Sequence, residues 1–287
     1  MPRLAYVNGR FLPHRGAQVH IEDRGYQFAD GVYEVVPVTG GRLLDEALHL
    51  DRLDRSLGEL SMRPPMGRRA MGLVMREVLR RNRMAEGLLY IQVTRGVAMR
   101  DHVMPTDITP TVFAMASPMR PPTPEQLEEG VACVTADDFR WEKAHIKSTS
   151  LLGSVFARQI SFDAGALETV MFRHGYLSEA AASNVWVVKD GTVFGTPKDN
   201  LVLEGIRYGL IEELCKTLGI PYQLKRISRD EVLAADELLL SSATKEVLPV
   251  TLLDGEPVGQ AAHRGQPGPI ARQLYTAYQD AKAASTD

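Results

Sequence analysis

The sequence has little cysteine, no excess of basic charge and no long apolar run, and each absence excludes a class of protein. Its two cysteines, Cys133 and Cys215, form no CxxC motif, which favours packing as small apolar side chains over a disulfide. The 287 residues carry a net charge of about −3, so the overall charge does not point to nucleic acid or to an anionic membrane. No apolar stretch approaches the roughly 20 residues that span a bilayer. We therefore expect no nucleic-acid partner and no membrane partner.

The sequence motifs of several common nucleotide-binding, metal-binding and serine-nucleophile sites are missing as well. No GxGxxG follows a strand and neither GxxxxGKS nor GxxxxGKT occurs, which argues against dinucleotide and P-loop sites. The seven histidines never occur at HxxxH spacing, no Cys/His cluster suggests zinc, and no serine lies in a GxSxG turn. We predict no metal site. If the chain is an enzyme, another group must supply its chemistry, such as an organic cofactor bound to a lysine.

The first residues predict a strand and a turn, not a secretory leader, because Asn8-Gly9 is a strong hairpin signal. Apolar residues make up 44% and charged residues 24% of the chain, which is the balance of a globular protein. We expect the protein to be cytoplasmic.

Apolar periodicity predicts a mixture of helices and strands. Four leucines recur at steps of three and four residues, which indicates one apolar helix face: Leu50, Leu53, Leu57 and Leu60. Further helices are predicted over 67–83, 149–162, 206–218 and 269–284, and strands over 88–94, 111–116, 131–135, 168–173, 185–188 and 237–240. In the helix over 67–83, Leu73 and Val78 are among the side chains expected to face inward.

A proline-rich stretch divides the chain. Residues 117–124 include four prolines in eight positions, a composition that excludes a helix or a central strand and indicates a stiff linker. We predict an α/β (α+β) fold with two domains. A small N-terminal α/β domain covers 1–117, the linker covers 118–124, and a larger C-terminal domain covers 125–287.

A lysine in the C-terminal domain is the first candidate for chemistry. Lys147 lies between a polar turn and the predicted helix over 149–162, which Ser148 or Thr149 is available to cap. An amine held partly out of water beside a pocket is a nucleophile toward carbonyl carbon, as Schiff-base chemistry requires. On local pattern alone, an exposed lysine before a helix is the simpler interpretation.

Four motifs resemble, in order, those of the class IV aminotransferases, which are fold-type IV enzymes that use pyridoxal 5′-phosphate (PLP). They occupy residues 23–34, 146–153, 178–185 and 203–206: DRGYQFADGVYE, IKSTSLLG, SEAAASNV and LEGI. Within the family the resemblance is strongest to the D-amino-acid aminotransferases. It implies the two-domain fold of the family, PLP-dependent transamination of D-amino acids such as D-alanine with 2-oxo acids, and a homodimer whose subunits share each active site.

The resemblance also implies roles for individual residues. Lys147 would hold PLP as a Schiff base and then act as the base that moves the proton of the substrate Cα. Glu179 would keep the pyridine nitrogen protonated, so that the ring accepts electrons. Tyr33, Arg100 and His102 would bind the substrate α-carboxylate, which suits the planar fork of an arginine. The remaining cofactor-binding residues implied by the resemblance are Arg52, Ser183, Asn184, Gly205, Ile206, Arg207, Ser242, Ala243 and Thr244.

The sequence departs from the family pattern around the phosphate. Arg207 stands where a threonine is usual, so that its side chain either binds the phosphate or turns outward. Ala243 stands where a phosphate-binding threonine is common, and Ser242 or Thr244 is available to replace it. Trp186 replaces the usual Phe or Tyr.

Several alternatives use the same fold or cofactor. A branched-chain L-aminotransferase, an (R)-amine transaminase and 4-amino-4-deoxychorismate lyase arrange their carboxylate or side-chain pockets differently, so the set of Tyr33, Arg100 and His102 argues against them. A non-catalytic PLP-binding protein would be expected to lack Lys147 or Glu179, and both are present. The sequence therefore predicts a PLP-dependent transaminase of D-amino acids.

Overall fold

A computed structural model describes residues 3–260 and 263–284. Within these residues the α-helices are α1 Arg24–Phe28, α2 Glu46–Glu59, α3 Arg68–Asn82, α4 Pro124–Glu128, α5 Leu152–Asp163, α6 Arg207–Leu218, α7 Arg229–Leu233 and α8 Pro269–Ala284. The strands are β1 Leu4–Val7, β2 Arg10–Pro13, β3 Gly31–Thr39, β4 Arg42–Leu43, β5 Gly87–Thr94, β6 Thr111–Ser117, β7 Val131–Asp137, β8 Glu168–Arg173, β9 Tyr176–Ala180, β10 Asn184–Lys189, β11 Thr192–Gly195, β12 Tyr222–Leu224, β13 Glu237–Ser242, β14 Glu246–Leu253 and β15 Glu256–Pro257. The architecture is mixed α/β, as the composition and periodicity predict.

The chain folds as two units. Within the described residues, the first unit comprises 3–120 together with Ile146–Leu151, and the second comprises Pro121–His145 together with 152–260 and 263–284. The sequence predicts that Lys147 belongs to the C-terminal domain, but its segment folds with the first unit. The reason is the open edge of β3, where Lys147 O accepts the Tyr33 N–H at 3.0 Å and Ser148 forms an isolated bridge with Val32.

The first unit is an antiparallel sheet packed against helices. Its strand order is β2-β1-β6-β5-β3-β4, and the β1–β2 hairpin turns at Asn8-Gly9 with positive φ at both residues, as predicted. Helix α2 buries Leu50, Leu53 and Leu57, also as predicted. In α3 the prediction for Leu73 is wrong, since 58% of this residue is exposed. The buried face is set by Met71, Met75, Val78 and Leu79, and Leu73 lies on the opposite side of the helix.

The second unit is a mixed sheet covered on both faces. Its strand order is β12-β11-β10-β13-β14-β7-β8-β9, with β15 paired to β14. Alternate residues of β10 enter different cores, because Val185 and Val187 pack with one cluster while Trp186 and Val188 pack with α6 and α8. Burial on both faces explains the continuous apolar run in this strand.

Two helix ends carry clear local signals. Helix α6 is followed by Gly219 in the left-handed conformation, and Ser228 caps α7 in a capping box with Glu231. The predicted start of α5 is wrong by three residues. Thr149 does not cap the helix, because its hydroxyl donates to Ala29 O at 2.9 Å in the first unit.

No helix in the described part of the chain is long and apolar enough to cross a membrane. Among residues 3–260 and 263–284, no group of three His, Cys, Asp or Glu side chains is arranged to hold a metal ion.

Candidate active site

Lys147 is fixed at both sides of its backbone. Its N–H donates to the Ser56 hydroxyl on α2 at 3.3 Å, and its carbonyl accepts the N–H of Tyr33 on β3. The side chain is half-buried, with Nζ 4.2 Å from the centre of the Tyr33 ring. The fold therefore presents the amine from a fixed backbone against an aromatic face.

The Tyr33 ring is oriented by a row of aromatic side chains across the sheet. It stacks on Tyr90 at 5.6 Å between ring centres, and Tyr90 stacks on Phe113 at 5.8 Å. The Tyr90 hydroxyl donates to Gln92 at 2.7 Å, and burial raises the pKa of Tyr90 to about 12. Tyr90 thus stays a neutral support for Tyr33 at neutral pH.

Arg52 is bound by a buried carboxylate. Its Nε and Nη2 each lie 2.7 Å from one oxygen of Glu34, and His49 Nδ1 lies 2.7 Å from Glu34 Oε2. Burial by itself raises the pKa of Glu34, but Arg52 and His49 outweigh it and hold the pKa at about 2. Burial also lowers the pKa of His49, against the attraction of Glu34. Glu34 is therefore an ionised group that fixes the orientation of Arg52.

Arg100 and His102 lie together on the loop between β5 and β6. The Arg100 guanidinium carbon is 5.1 Å from the centre of the Phe28 ring, and the His102 ring centre is 5.4 Å from it. Both side chains are exposed. The structure thus brings two of the three predicted carboxylate ligands to one aromatic side chain, while the third, Tyr33, lies beside Lys147.

In the second unit, Glu179 lies at the end of β9 and is buried. Its Oε1 is 2.7 Å from Arg140 Nη1, while its Oε2 accepts hydrogen bonds from Asn184 Nδ2 at 3.2 Å and Leu203 N at 3.3 Å. Burial raises the pKa of Glu179, and Arg140 opposes this effect. Arg140 is itself held by both oxygens of Asp138 at 2.9 Å. The result is a buried carboxylate with fixed donors around it.

Asn184 joins the predicted phosphate-binding segments of the second unit. Besides Glu179, its Nδ2 binds Leu203 O at 2.9 Å, and it pairs in register with Ser241 of β13. A Cβ at Gly205 would lie 2.0 Å from Asn184 Oδ1, so a larger residue there would displace the Asn184 side chain. The segments around Asn184, Gly205 and Ser241 therefore lie next to one another.

The β13–β14 turn is shaped by Ser242, which precedes Ala243. The Ser242 hydroxyl accepts the backbone N–H of Lys245 at 3.0 Å and of Thr244 at 3.3 Å. Lys245 Nζ reaches back to the fully buried Glu168 at 2.7 Å and to the Ser183 hydroxyl at 3.0 Å. Lys245 thus links this turn to the start of β10.

Ile206 is the N-cap residue of α6, and Arg207 is its first helical residue. Arg207 is buried, with its guanidinium carbon 5.1 Å from the centre of the Tyr278 ring on α8. It therefore does not turn outward. The departure at Trp186 also has a structural account, because its indole N–H donates to the Ser241 hydroxyl at 2.8 Å.

Sequence reasoning missed Glu34, His49, Arg140 and Lys245. A signal existed for the first, because Glu34 alternates with the fully buried Val32 and Val36 on the core face of β3. A carboxylate on a core face needs a charged partner. No comparable local pattern marks Arg140, whose partner Glu179 is 39 positions away.

Comparisons with known proteins agree on one family. The family model described as amino-transferase class IV matches residues 31–253. D-alanine aminotransferase of Bacillus licheniformis is 38% identical over 279 residues, 97% of each chain, and that of Staphylococcus epidermidis is 35% identical over 275 residues, 96% of each.

Solved structures share the fold. Branched-chain amino acid aminotransferase of Escherichia coli superposes with a TM-score of 0.89 at 24% identity, over 98% of this chain and 94% of that one. The 4-amino-4-deoxychorismate lyase of Pseudomonas aeruginosa gives 0.81 at 25% identity, over 96% and 98%. From the family match and the relatives together, the chain belongs to the class IV aminotransferases and is a PLP-dependent aminotransferase.

Proposed function

We propose that this chain transfers the amino group of D-amino acids to 2-oxo acids, with D-alanine and 2-oxoglutarate giving pyruvate and D-glutamate. The observation that carries the proposal is the placement of Arg100 and His102 on one exposed loop against Phe28. A guanidinium and an imidazole close together suit a carboxylate, and the arginine can bind both of its oxygens. The D-alanine aminotransferases that match almost the whole chain support the same substrate class.

The residues present fit PLP by their chemistry. When bound, PLP supplies an aldehyde that takes up the amino group and a pyridine ring that accepts the electrons of the substrate Cα. The first unit provides a half-buried lysine amine with a fixed backbone. The second provides a buried carboxylate and, at Ile206, the N-terminus of a 12-residue helix, which favours an anion such as a phosphate.

Lys147 and Glu179 have the two central roles in the proposal. Lys147 would hold the cofactor through its amine, and the same amine, freed by the incoming substrate, would move a proton at the substrate Cα. Glu179 would keep the ring nitrogen protonated, and the hydrogen bonds from Asn184 and Leu203 keep its carboxylate oriented.

The phosphate is proposed to bind the segments next to Asn184. These contribute backbone N–H groups at Gly205 and Ile206 and hydroxyls at Ser183, Ser242 and Thr244. Arg52 and Arg207 remain in the proposed cofactor set, with Arg52 oriented by Glu34 and Arg207 packed on Tyr278. Ala243 offers only its backbone.

The substrate class is tested by steady-state assay of the PLP-loaded protein with D-alanine, L-leucine and an (R)-amine, each with 2-oxoglutarate. Ping-pong kinetics with D-alanine and a kcat/KM far above that for L-leucine are expected. Activity on L-leucine alone would overturn the D-specific proposal. Release of pyruvate from 4-amino-4-deoxychorismate would instead favour the lyase on the same fold.

We also propose that the protein is a homodimer. The support is an exposed apolar stripe on α5, where Leu152, Val155 and Phe156 recur at helical spacing and are each more than half exposed. Phe156→Glu is expected to shift the mass measured by light scattering from dimer to monomer. Leu233→Glu is the matched control, because Leu233 is 57% exposed on α7 and off this stripe. A monomeric wild-type protein would contradict the proposal.

A further inference from the structure

We propose that Asp30 is a positioning residue for the substrate carboxylate, acting through Arg24 on the loop that carries Arg100 and His102. The inference rests on the proposed function for the identity of the ligand. The arrangement of the loop itself rests only on contacts within the first unit.

Asp30 joins two buried arginines through one oxygen. Its Oδ2 accepts a hydrogen bond from Arg24 Nε at 2.8 Å and from Arg95 Nε at 2.7 Å. The side chains of Arg24 and Arg95 are only 4% and 5% exposed, and that of Asp30 is 10% exposed. Two buried guanidinium groups thus share one carboxylate, and each depends on it for charge compensation.

Arg24 binds the loop between β5 and β6 while its side chain is held by Asp30. Its Nη1 donates to the carbonyl of Asp101 at 2.5 Å, and its backbone N–H donates to Gly96 O at 2.9 Å. Asp101 is the residue between the two proposed ligands, Arg100 and His102. Its own carboxylate accepts the N–H of Val103 at 3.1 Å, which closes the turn on the other side.

Arg95 holds the beginning of the same loop. Its backbone N–H donates to the carbonyl of Asp30 at 3.0 Å, and its Nη2 donates to Leu60 O at 2.8 Å. Asp30 therefore contacts the loop at its start directly and at Asp101 through Arg24. Between these two points the chain has no strand pairing except an isolated bridge at Val97.

The same network fixes the aromatic side chain between the ligands. The Arg24 guanidinium carbon lies 4.7 Å from the centre of the Phe28 ring, which Arg100 and His102 also contact. Loss of the Asp30 charge leaves Arg24 without its carboxylate and frees both Phe28 and the Asp101 carbonyl to shift. Arg100 and His102 would then lose their common orientation toward the substrate carboxylate. Substrate binding would weaken more than the rate of the chemical step falls.

Asp30→Asn tests the inference, with Asp51→Asn as the matched control. Asp51 is also paired with an arginine of the first unit, Arg68, but that pair is about half exposed. For Asp30→Asn we expect the KM for D-alanine to rise on the order of tenfold with kcat changed less than about twofold. Hydrogen exchange of a peptide covering 96–104 should become faster, while the PLP absorbance stays as in the wild type. Asp51→Asn should change none of these.

If Asp30→Asn fails to fold, Arg24→Lys serves instead, because an ammonium group keeps the charge but cannot reach Asp30 and the Asp101 carbonyl in the same fork geometry. Unchanged exchange over 96–104 in a folded variant would overturn the inference. So would an equal fall in kcat and kcat/KM with an unchanged KM. If hydrogen exchange over 96–104 is faster in Asp30→Asn but the wild-type enzyme acts only on L-amino acids, the role of Asp30 in holding the loop stands and the proposed substrate class is wrong.

Discussion

Arg140 and Glu179 form a buried ion pair, with Nη1 2.7 Å from Oε1, and the arginine opposes the effect of burial on the carboxyl group. Burial favours the neutral acid, whereas the guanidinium favours the carboxylate. A neutral Glu179 cannot stabilise a protonated ring nitrogen, so the proposed function depends on this balance.

Arg140→Met should therefore move the acid limit of activity to higher pH. Without the guanidinium the pKa of Glu179 rises further, and the carboxylate is lost over a wider acid range as pH falls. The measurement is kcat/KM for D-alanine against pH. Arg272→Met, at an exposed position on α8, is the control and should leave the profile in place. An unshifted acid limb in Arg140→Met would refute this role.

Lys147→Ala should abolish turnover and the visible absorbance of lysine-bound PLP, because no other residue is proposed to bond the cofactor or to move the Cα proton. Lys143→Ala is the control, since Lys143 is exposed four residues earlier. Turnover that survives in Lys147→Ala and is lost in Lys143→Ala would reassign the catalytic lysine.

Glu34→Gln should lower the free energy of unfolding at neutral pH. The folded-state pKa of Glu34 is about 2 against a usual value of 4.5, and this difference corresponds to roughly 3.5 kcal/mol at about 1.4 kcal/mol per unit. Because the pKa is lowered on folding, this stabilisation is present above about pH 4.5 and is lost as pH falls toward 2. The difference between variant and wild type in urea unfolding should therefore shrink below pH 4.5.

Glu77→Gln is the matched control for burial. Its pKa is also lowered to about 2, by hydrogen bonds from Arg80 and Arg81, but these partners lie on the surface of α3. Solvent screens such pairs, so the burial of Glu34, and not the pKa alone, sets the expected stability loss. Equal losses of the free energy of unfolding in Glu34→Gln and Glu77→Gln would show that burial does not set the contribution of these ion pairs to stability.

Gly195→Ala should destabilise the second unit through Trp186. A Cβ at Gly195 would lie 2.5 Å from Trp186 Cζ3 and 2.8 Å from Leu224 Cδ2, an overpacking that costs about 1–3 kcal/mol. Gly209→Ala is the contrasting variant, because apart from the neighbouring backbone of α6 itself nothing lies within 4 Å of a Cβ added there. Removing a helical glycine should raise stability by about 0.5–1 kcal/mol. Thermal unfolding midpoints that move in opposite directions would support both statements.

The sequence by itself determined the features that depend on near neighbours. The β1–β2 turn follows from Asn8-Gly9, the start of α7 from Ser228 and Glu231, and the end of α6 from Gly219, because φ and capping hydrogen bonds are local properties. The four family motifs are likewise legible in the chain alone, and the comparisons confirm the family that they indicate.

Only the tertiary structure decided which charged groups meet. Glu34 pairs with Arg52 18 positions away, Glu179 with Arg140 39 positions away, and Asp30 with Arg95 65 positions away. The segment of Lys147 pairs with an open edge of β3 that precedes it by more than 100 residues. No local pattern encodes such pairs, because their partners are selected by the packing that removes each charge from water.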